Sequence, residues 1–297
     1  MKILLFWILA FLWGGSFVAI KIVVATVPPV WGAAFRLLCA LLFLTCYYKL
    51  TKKDLKVPRH LRWRVFFAGL TSQAIPFSLL FWGEQSISPG LSGILNGTTP
   101  IWAFIFGMLF LRQHEPFTKK KLLGLLIGMA GLLFIFGPKL AGGMTSSSTI
   151  GTFAVGLMGL SYGLGTIINK SVMVHKDHPT LEASLFWQTF ASTFFVGALA
   201  FFIEGLPHFS WFENSHFVLA TLYMGCLSTA IAFILYFELL HEMGAVKASA
   251  VGYLIPVTAV LLDFVINKTV PTTSDMLGAG VILAGIFILQ DRKFRAN

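Results

Sequence analysis

The sequence predicts an all-α integral membrane protein whose ten transmembrane helices form two inverted five-helix repeats, with the N- and C-termini in the cytoplasm. Three observations lead to this prediction: an apolar composition, ten apolar runs of membrane-spanning length, and landmarks that recur in the second half of the chain. Of the 297 residues, 57% are hydrophobic and only 11% are charged. Soluble domains carry about 25% charged residues, and no soluble core could hide so much apolar side chain.

The apolar runs give the helices in order. A helix needs about 20 apolar residues to cross the hydrocarbon core of a bilayer. Such runs lie near residues 3–26, 30–48, 65–84, 91–111, 121–137, 150–169, 183–203, 217–240, 248–266 and 276–290. The first run lacks a small-residue cleavage site and is longer than the apolar region of a signal peptide, so we interpret it as a retained span.

Landmarks of the first half recur in the second half at a nearly constant offset. Phe77, Phe81 and Pro100 return 156 positions later as Phe233, Phe237 and Pro256; Gly124 and Gly131 return as Gly278 and Gly285; Trp13, Phe17 and Lys21 answer to Tyr162, Thr166 and Lys170. Because each copy holds an odd number of spans, the second copy must lie inverted relative to the first. This predicts a first repeat over residues 1–141, a Gly/Ser/Thr-rich connector over 142–149, and a second repeat over 150–297.

The basic residues predict the orientation. With the N-terminus inside, 18 of the 22 lysines and arginines fall on the cytoplasmic side, mostly in the segments 49–64 and 112–121. Cytoplasmic loops of membrane proteins carry such an excess, so we expect a multi-pass protein of the cell inner membrane. The net charge of +10 is explained by these loops, and no nucleic-acid partner is needed.

Enzyme chemistry has no candidate residues at membrane depth. Cys39, Cys46 and Cys226 lie within spans without other ligands at metal-binding spacing, and the seven histidines fall at or near span ends. No Walker pattern is present. We therefore expect no enzymatic activity, no metal and no cofactor.

Several motifs together resemble one family. They are Trp13-Gly14-Gly15-Ser16-Phe17 followed by Lys21, Arg36 in the second span, Asn96-Gly97-Thr98-Thr99-Pro100 in the fourth, and, in the second half, Gly252-Tyr253-Leu254-Ile255-Pro256-Val257 and the segment from Gly278 to Gly285. This combination is similar to the EamA family of the drug/metabolite transporter superfamily. The chain departs from the family's Gly-Glu pair after the fourth and ninth spans, where it has Arg112-Gln113-His114-Glu115 and Asn267-Lys268. The resemblance implies export or exchange of amino acids, related metabolites or small amphipathic compounds.

Three prolines within spans indicate hinges or kinks. Pro76, Pro100 and Pro256 each remove the hydrogen bond to the carbonyl four residues back. Pro100 and Pro256 occupy matching positions in the two copies, and each follows a polar or flexible stretch. Secondary transporters place their substrate site between inverted repeats near the bilayer midplane, so these positions predict a central cavity. The alternative is a pair of packing kinks that neighbouring Ser and Thr side chains satisfy.

Candidate substrate-binding residues are those polar or aromatic groups that the kinked helices carry into the bundle. They are Trp13, Arg36, Asn96, Thr99, Tyr162 and Tyr253. An arginine in a span costs a few kcal/mol unless it faces a wet cavity, pairs or reaches the surface. Arg36 therefore binds a substrate carboxylate, steadies a polar network, or extends outward to the membrane surface.

Asp263 and Glu84 are the candidate proton-coupling acids, since a half-buried carboxylate can take up a proton near neutral pH. Both could equally be hydrated acids at the membrane interface. The expected function is a secondary transporter that works by alternating access on a small-molecule substrate, proton-coupled or by facilitated diffusion, as a monomer or homodimer. A structural or assembly protein without transport activity is the alternative.

Overall fold

The computed structural model describes residues 2–140, 146–258, 261, 270 and 272–290. These residues form helices and turns, with no β-strand among them. We number the main helices α1 (Lys2–Val24), α2 (Pro29–Leu50), α3 (Arg59–Gly83), α4 in two pieces (Pro89–Asn96 and Thr99–Phe110), α5 (Lys119–Leu140), α6 (Ser146–Met173), α7 (Leu181–Glu204), α8 (Ser215–Met243), α9 (Ala245–Thr258) and α10 (Thr273–Leu289).

Each predicted span overlaps one of these helices. Seven of them, α1 to α4 and α6 to α8, are long and apolar enough to cross a membrane, while α9 and α10 are apolar but shorter within the described residues. The apolar run predicts a third span from residue 65, whereas α3 begins at Arg59. The two starts differ because charged residues at the end of a helix are helical but do not belong to the apolar run. Large apolar side chains such as Phe202 (82% exposed) and Phe287 (72% exposed) cover the outside. The chain is thus a multi-pass membrane protein.

Two helices contain a π-helical stretch, in which the backbone hydrogen bonds span five residues. In α3 it covers Leu70–Ala74, and the Ile75 N–H bonds the Leu70 carbonyl. Pro76 follows directly. In α8 it covers Tyr223–Ile231, where no proline is present. Such stretches are rare and occur often at functional sites.

Two further helices are interrupted, α4 between its two pieces at residues 97–98 and α9 by a 3₁₀ turn at Ala250–Tyr253. Pro100 lies in the first turn of the second piece of α4, where its missing N–H costs no helical bond. Pro256 follows the 3₁₀ turn of α9. Both helices are therefore interrupted next to these prolines.

Helices α5 and α10 touch through their backbones. A Cβ added at Gly131 would lie 2.8 Å from the Gly278 carbonyl oxygen, and one added at Gly124 would lie 2.9 Å from the Gly285 carbonyl oxygen. Small residues at such positions let membrane helices approach closely. These glycines are the repeat landmarks of the sequence.

Candidate functional site

A central cavity of about 60 Å³ lies where α1, α2, α3, α4, α6, α8 and α9 converge. Its lining combines hydroxyl and amide groups, aromatic rings and one guanidinium. The lining residues are Trp13, Ser16, Phe17, Arg36, Ser72, Phe77, Leu80, Asn96, Thr99, Tyr162, Thr166, Phe233, Tyr236, Ser249, Gly252 and Ile255. Five of the six predicted substrate-binding residues are in this set.

Both halves of the chain contribute to the cavity at matching positions. The pairs Trp13 and Tyr162, Phe17 and Thr166, Phe77 and Phe233, Asn96 and Gly252, and Thr99 and Ile255 all line it. The Phe77 and Phe233 rings meet edge to face, with centroids 6.3 Å apart. Residues of both halves therefore form the cavity wall.

Arg36 is the charged group of this cavity, and its side chain is only 2% exposed. Its Nε donates to the Thr229 hydroxyl at 2.8 Å, and its Nη2 lies 3.4 Å from the Ser228 carbonyl oxygen. The guanidinium carbon lies 4.0 Å above the centre of the Phe77 ring. The side chain thus points into the bundle, which contradicts the alternative of an arginine extended to the membrane surface.

Some N–H donors of the Arg36 guanidinium form no hydrogen bond among the described residues. An arginine carries five N–H donors, and the bonds to Thr229 and Ser228 engage only Nε and Nη2. Within the described part of the chain, no carboxylate forms an ion pair with Arg36 and no partner of Nη1 is present. A buried cation with free donors and no direct ion pair among these residues is suited to bind a carboxylate.

The π-helical stretch of α8 holds one wall of the cavity in place. The Ser228 carbonyl accepts hydrogen bonds from Trp13 Nε1 at 3.1 Å and from Arg36. Trp13 also packs against Tyr236, whose hydroxyl lies 2.9 Å from the Thr166 hydroxyl. These hydrogen bonds therefore connect α8 to α1, α2 and α6 around the aromatic wall of the cavity.

Asn96 and Gly252 face each other across the two helix interruptions. A Cβ added at Gly252 would lie 3.7 Å from the Asn96 carbonyl oxygen. Thr99, one turn beyond Asn96, has a buried hydroxyl without a hydrogen-bond partner among the described residues. Asn96 and Thr99 thus lie in the cavity, as expected.

Tyr253 differs from the expectation, because it does not line the cavity. It is fully buried, its hydroxyl donates to the Leu125 carbonyl at 3.1 Å, and its ring packs on Gly128. Successive residues of a 3₁₀-helix point about 120° apart, so the 3₁₀ turn directs Gly252 to the cavity and Tyr253 to α5. Tyr253 therefore packs α9 against α5.

The two coupling candidates have different outcomes. Glu84 follows the last residue of α3 and is fully buried; neither carboxylate oxygen has a partner among the described residues. Nearby, Lys21 Nζ donates to the backbone carbonyls of Glu84 (2.5 Å) and Ile87 (3.2 Å). Glu84 is buried rather than hydrated, and it lies outside the cavity lining. Asp263 falls outside the described residues.

Sequence reasoning missed a second polar cluster. Gln188 Nε2 donates to Asn169 Oδ1 at 2.7 Å, and the Ser72 hydroxyl donates to Gln188 Oε1 at 3.3 Å. Ser72 and Ser228 are 156 positions apart, and both lie in π-helical stretches. The repeat offset of 156 positions could have identified Ser72 and Ser228 as a matching pair from the sequence.

A possible metal-ligand group lies away from the cavity. His60, His175 and Asp177 offer ligand atoms within 4.8 Å of one another at the surface of the molecule. None of the three lines the cavity.

Comparisons with known proteins agree with this architecture. The uncharacterized transporter YoaV of Bacillus subtilis is 27% identical over 278 residues, covering 93% of this chain and 92% of YoaV. Protein PagO of Salmonella typhimurium is 29% identical over 295 residues, covering 96% of this chain and 91% of PagO. A crystal structure of a protein superposes with a TM-score of 0.79 at 17% identity, covering 99% of both chains; this likeness shows the fold alone.

The family model of EamA-like transporters matches residues 1–137 and again residues 149–290. These two segments cover nearly the whole chain, and the protein therefore belongs to the EamA-like transporter family of membrane transporters.

Proposed function

We propose that this protein is a secondary transporter of the cell inner membrane that moves amino acids or related small metabolites, as an exporter or exchanger, by alternating access. The observation that carries the proposal is the central cavity, which residues of both halves line around the Arg36 guanidinium, a cation that forms no ion pair within the described part of the chain. Ten spans with both termini in the cytoplasm remain part of the proposal.

Contacts that recur at the repeat offset support two inverted halves. Gly69 packs on the backbone of Gln188, and Gly225 packs on the backbone of Arg36. Gly69 and Gly225 are 156 positions apart, and their partners Gln188 and Arg36 are 152 positions apart, so the two contacts are alike and Gln188 takes the place of Arg36. The two segments that the family model matches agree with a duplication. Substrate sites of inverted-repeat transporters lie between the halves, where this cavity is.

The chemistry of the cavity supports a substrate with a carboxylate and an apolar or aromatic body. Among the described residues that line it, Arg36 is the one charged side chain, and none is acidic. Trp13, Phe77 and Phe233 supply aromatic surface, while Asn96 and Thr99 supply polar contacts. An amino acid or a related carboxylate matches these groups better than a cationic drug does.

The small size of the cavity supports alternating access. A volume of about 60 Å³ holds only a few water molecules, since each needs about 10–15 Å³. A substrate must therefore enter through a more open state. The π-helical stretches of α3 and α8 and the interruptions of α4 and α9 border the cavity, and we infer that the opening motion occurs there.

Proton coupling through Glu84 or Asp263 is the finer part of the proposal. The Glu84 carboxylate is fully buried, and a buried acid resists ionisation unless it is compensated. The groups that oppose this effect of burial are the Ser92 hydroxyl, Lys21 and Arg36. Such a buried acid can take up a proton on one side of the membrane and lose it on the other. Asp263 stays a candidate on its sequence position alone.

Reconstitution into liposomes tests the function. Purified protein should mediate exchange of labelled amino acids across the liposome membrane, and an inward or outward pH gradient should change the net flux. Liposomes without protein serve as the control. A protein that exchanges none of the amino acids or related carboxylates, while monodisperse and folded, would contradict the proposal.

A further inference from the structure

A second cavity, of about 1070 Å³, is an open groove on the outer face of the bundle. It lies between the first turns of α3 and the first half of α7, and the segment before α3 closes one end. Its volume is at the upper end of the range of about 300–1,000 Å³ for ligand sites. None of its lining residues belongs to the central cavity.

One end of the groove is cationic. Lys56, Arg59 and Arg62 line it and are exposed, and none of them forms an ion pair within the described residues. The neighbouring Lys53, by contrast, has its Nζ 2.5 Å from Glu182 Oε1. The cations of the groove are thus left uncompensated in a place where a neighbouring lysine is neutralised.

The rest of the groove is aromatic and apolar. Trp63 of α3 is 70% exposed, and Phe194 of α7 is 62% exposed. Trp187 Nε1 donates to the Leu55 carbonyl at 2.8 Å, which fixes the indole near the basic end. From Trp187 to Phe195 the groove extends about 12 Å along α7 at 1.5 Å per residue. Tryptophans of membrane proteins lie at the level of the lipid headgroups, with the hydrocarbon region beyond them.

We propose that this groove binds one anionic phospholipid, with its phosphate at Lys56, Arg59 and Arg62 and an acyl chain along α7. Clusters of basic residues beside a membrane helix bind anionic headgroups. A soluble anion would make no contact with the apolar wall of the groove, whereas an acyl chain would. A second copy of the chain is disfavoured as the occupant, because a two-fold interface at this face would bring two sets of uncompensated cations together.

Native mass spectrometry of the full chain in detergent tests the proposal. The protein is titrated with dioleoyl phosphatidylglycerol and, separately, with dioleoyl phosphatidylcholine. We expect phosphatidylglycerol to bind at about tenfold lower concentration, and the variant Arg59→Gln/Arg62→Gln to lose about tenfold of that affinity. The matched control Arg64→Gln/Arg112→Gln removes the same charge from exposed residues outside the groove and should bind phosphatidylglycerol as the wild type does.

Two further arms separate a lipid from a bare anion. Ala191 lines the apolar part of the groove, so Ala191→Trp should fill it and weaken phosphatidylglycerol binding without changing the charge. Inorganic phosphate at millimolar concentration should not displace the lipid. Equal binding of both lipids, equal loss in the control, wild-type binding by Ala191→Trp, or displacement by phosphate would each overturn the proposal. If the double variant is not monodisperse, the single variants Arg59→Gln and Ala191→Trp test lipid binding by the groove in the same way.

Discussion

Removing the Arg36 guanidinium should weaken the binding of a carboxylate substrate and leave the fold intact. A hydrogen bond to a charged group contributes about 1.5–3 kcal/mol, which corresponds to about a 10- to 150-fold change in affinity. Arg36→Gln should therefore raise the concentration needed for half-maximal exchange by that factor. Arg36→Lys keeps the charge but loses the planar fork and its bond to Thr229, so its affinity should be intermediate.

The stability of the empty protein should change little in Arg36→Gln. The substitution loses the guanidinium's bonds to Thr229 and Ser228, each worth about 1.5–3 kcal/mol because the donor is charged, but it also removes the cost of burying a charge that has no ion-pair partner among the described residues, a few kcal/mol. These two effects oppose each other, so the thermal midpoint should change little. Arg64→Gln, an exposed arginine outside both cavities, is the matched control and should leave exchange and stability unchanged.

The assay compares each carboxylate substrate with its neutral amide in proteoliposomes, for the wild type and for Arg36→Gln. The wild type should prefer the carboxylate. This preference should vanish in the variant, because the guanidinium that binds the negative charge of the substrate is absent. An unchanged preference in monodisperse Arg36→Gln would refute the assignment of Arg36 to the substrate carboxylate.

Three other predictions follow from the structure. Gly131→Ala should lower the thermal midpoint through overpacking of about 1–3 kcal/mol, since its Cβ would lie 2.8 Å from a backbone carbonyl oxygen of α10, whereas Gly280→Ala, with nothing within 4 Å, should not; equal midpoints would exclude backbone contact between α5 and α10. Glu84→Gln should keep substrate exchange but lose its stimulation by a pH gradient, because the amide mimics the protonated acid; a wild-type response would remove Glu84 as a coupling group. A cysteine at Thr51 should resist an impermeant thiol reagent added outside intact cells while one at Ser147 is labelled, and the opposite pattern would overturn the orientation.

The sequence predicted some features of the molecule and left others open. Helices and their order were predictable, because burying a polar backbone in lipid leaves few alternatives to apolar helices. Arg36 could be singled out as a candidate from the sequence, since a charge at membrane depth has few permitted surroundings. Its direction was not predictable, because the free energies of the inward and outward rotamers depend on Ser228 and Thr229, which lie 192 and 193 positions away in the chain.

Local helix geometry limited the prediction elsewhere. Tyr253 was expected in the cavity, yet Gly252 occupies that place, because the 3₁₀ turn at Ala250–Tyr253 fixes which residue faces inward. The π-helical stretch of α3 has a neighbouring proline as a signal, but the one in α8 has none. Sequence periodicity assumes one regular helix, so a change of helix type inside a span alters the facing residues without altering the apolar pattern.

The size of the residue at position 252 gives the most direct test of the central cavity as the substrate site. A methyl group fits there, because a Cβ would lie 3.7 Å from its nearest neighbour, whereas a leucine would fill much of a cavity of about 60 Å³. Exchange of labelled amino acids in proteoliposomes should therefore persist in Gly252→Ala and be abolished in Gly252→Leu, with both proteins monodisperse. Exchange by Gly252→Leu at the wild-type rate would contradict transport through this cavity.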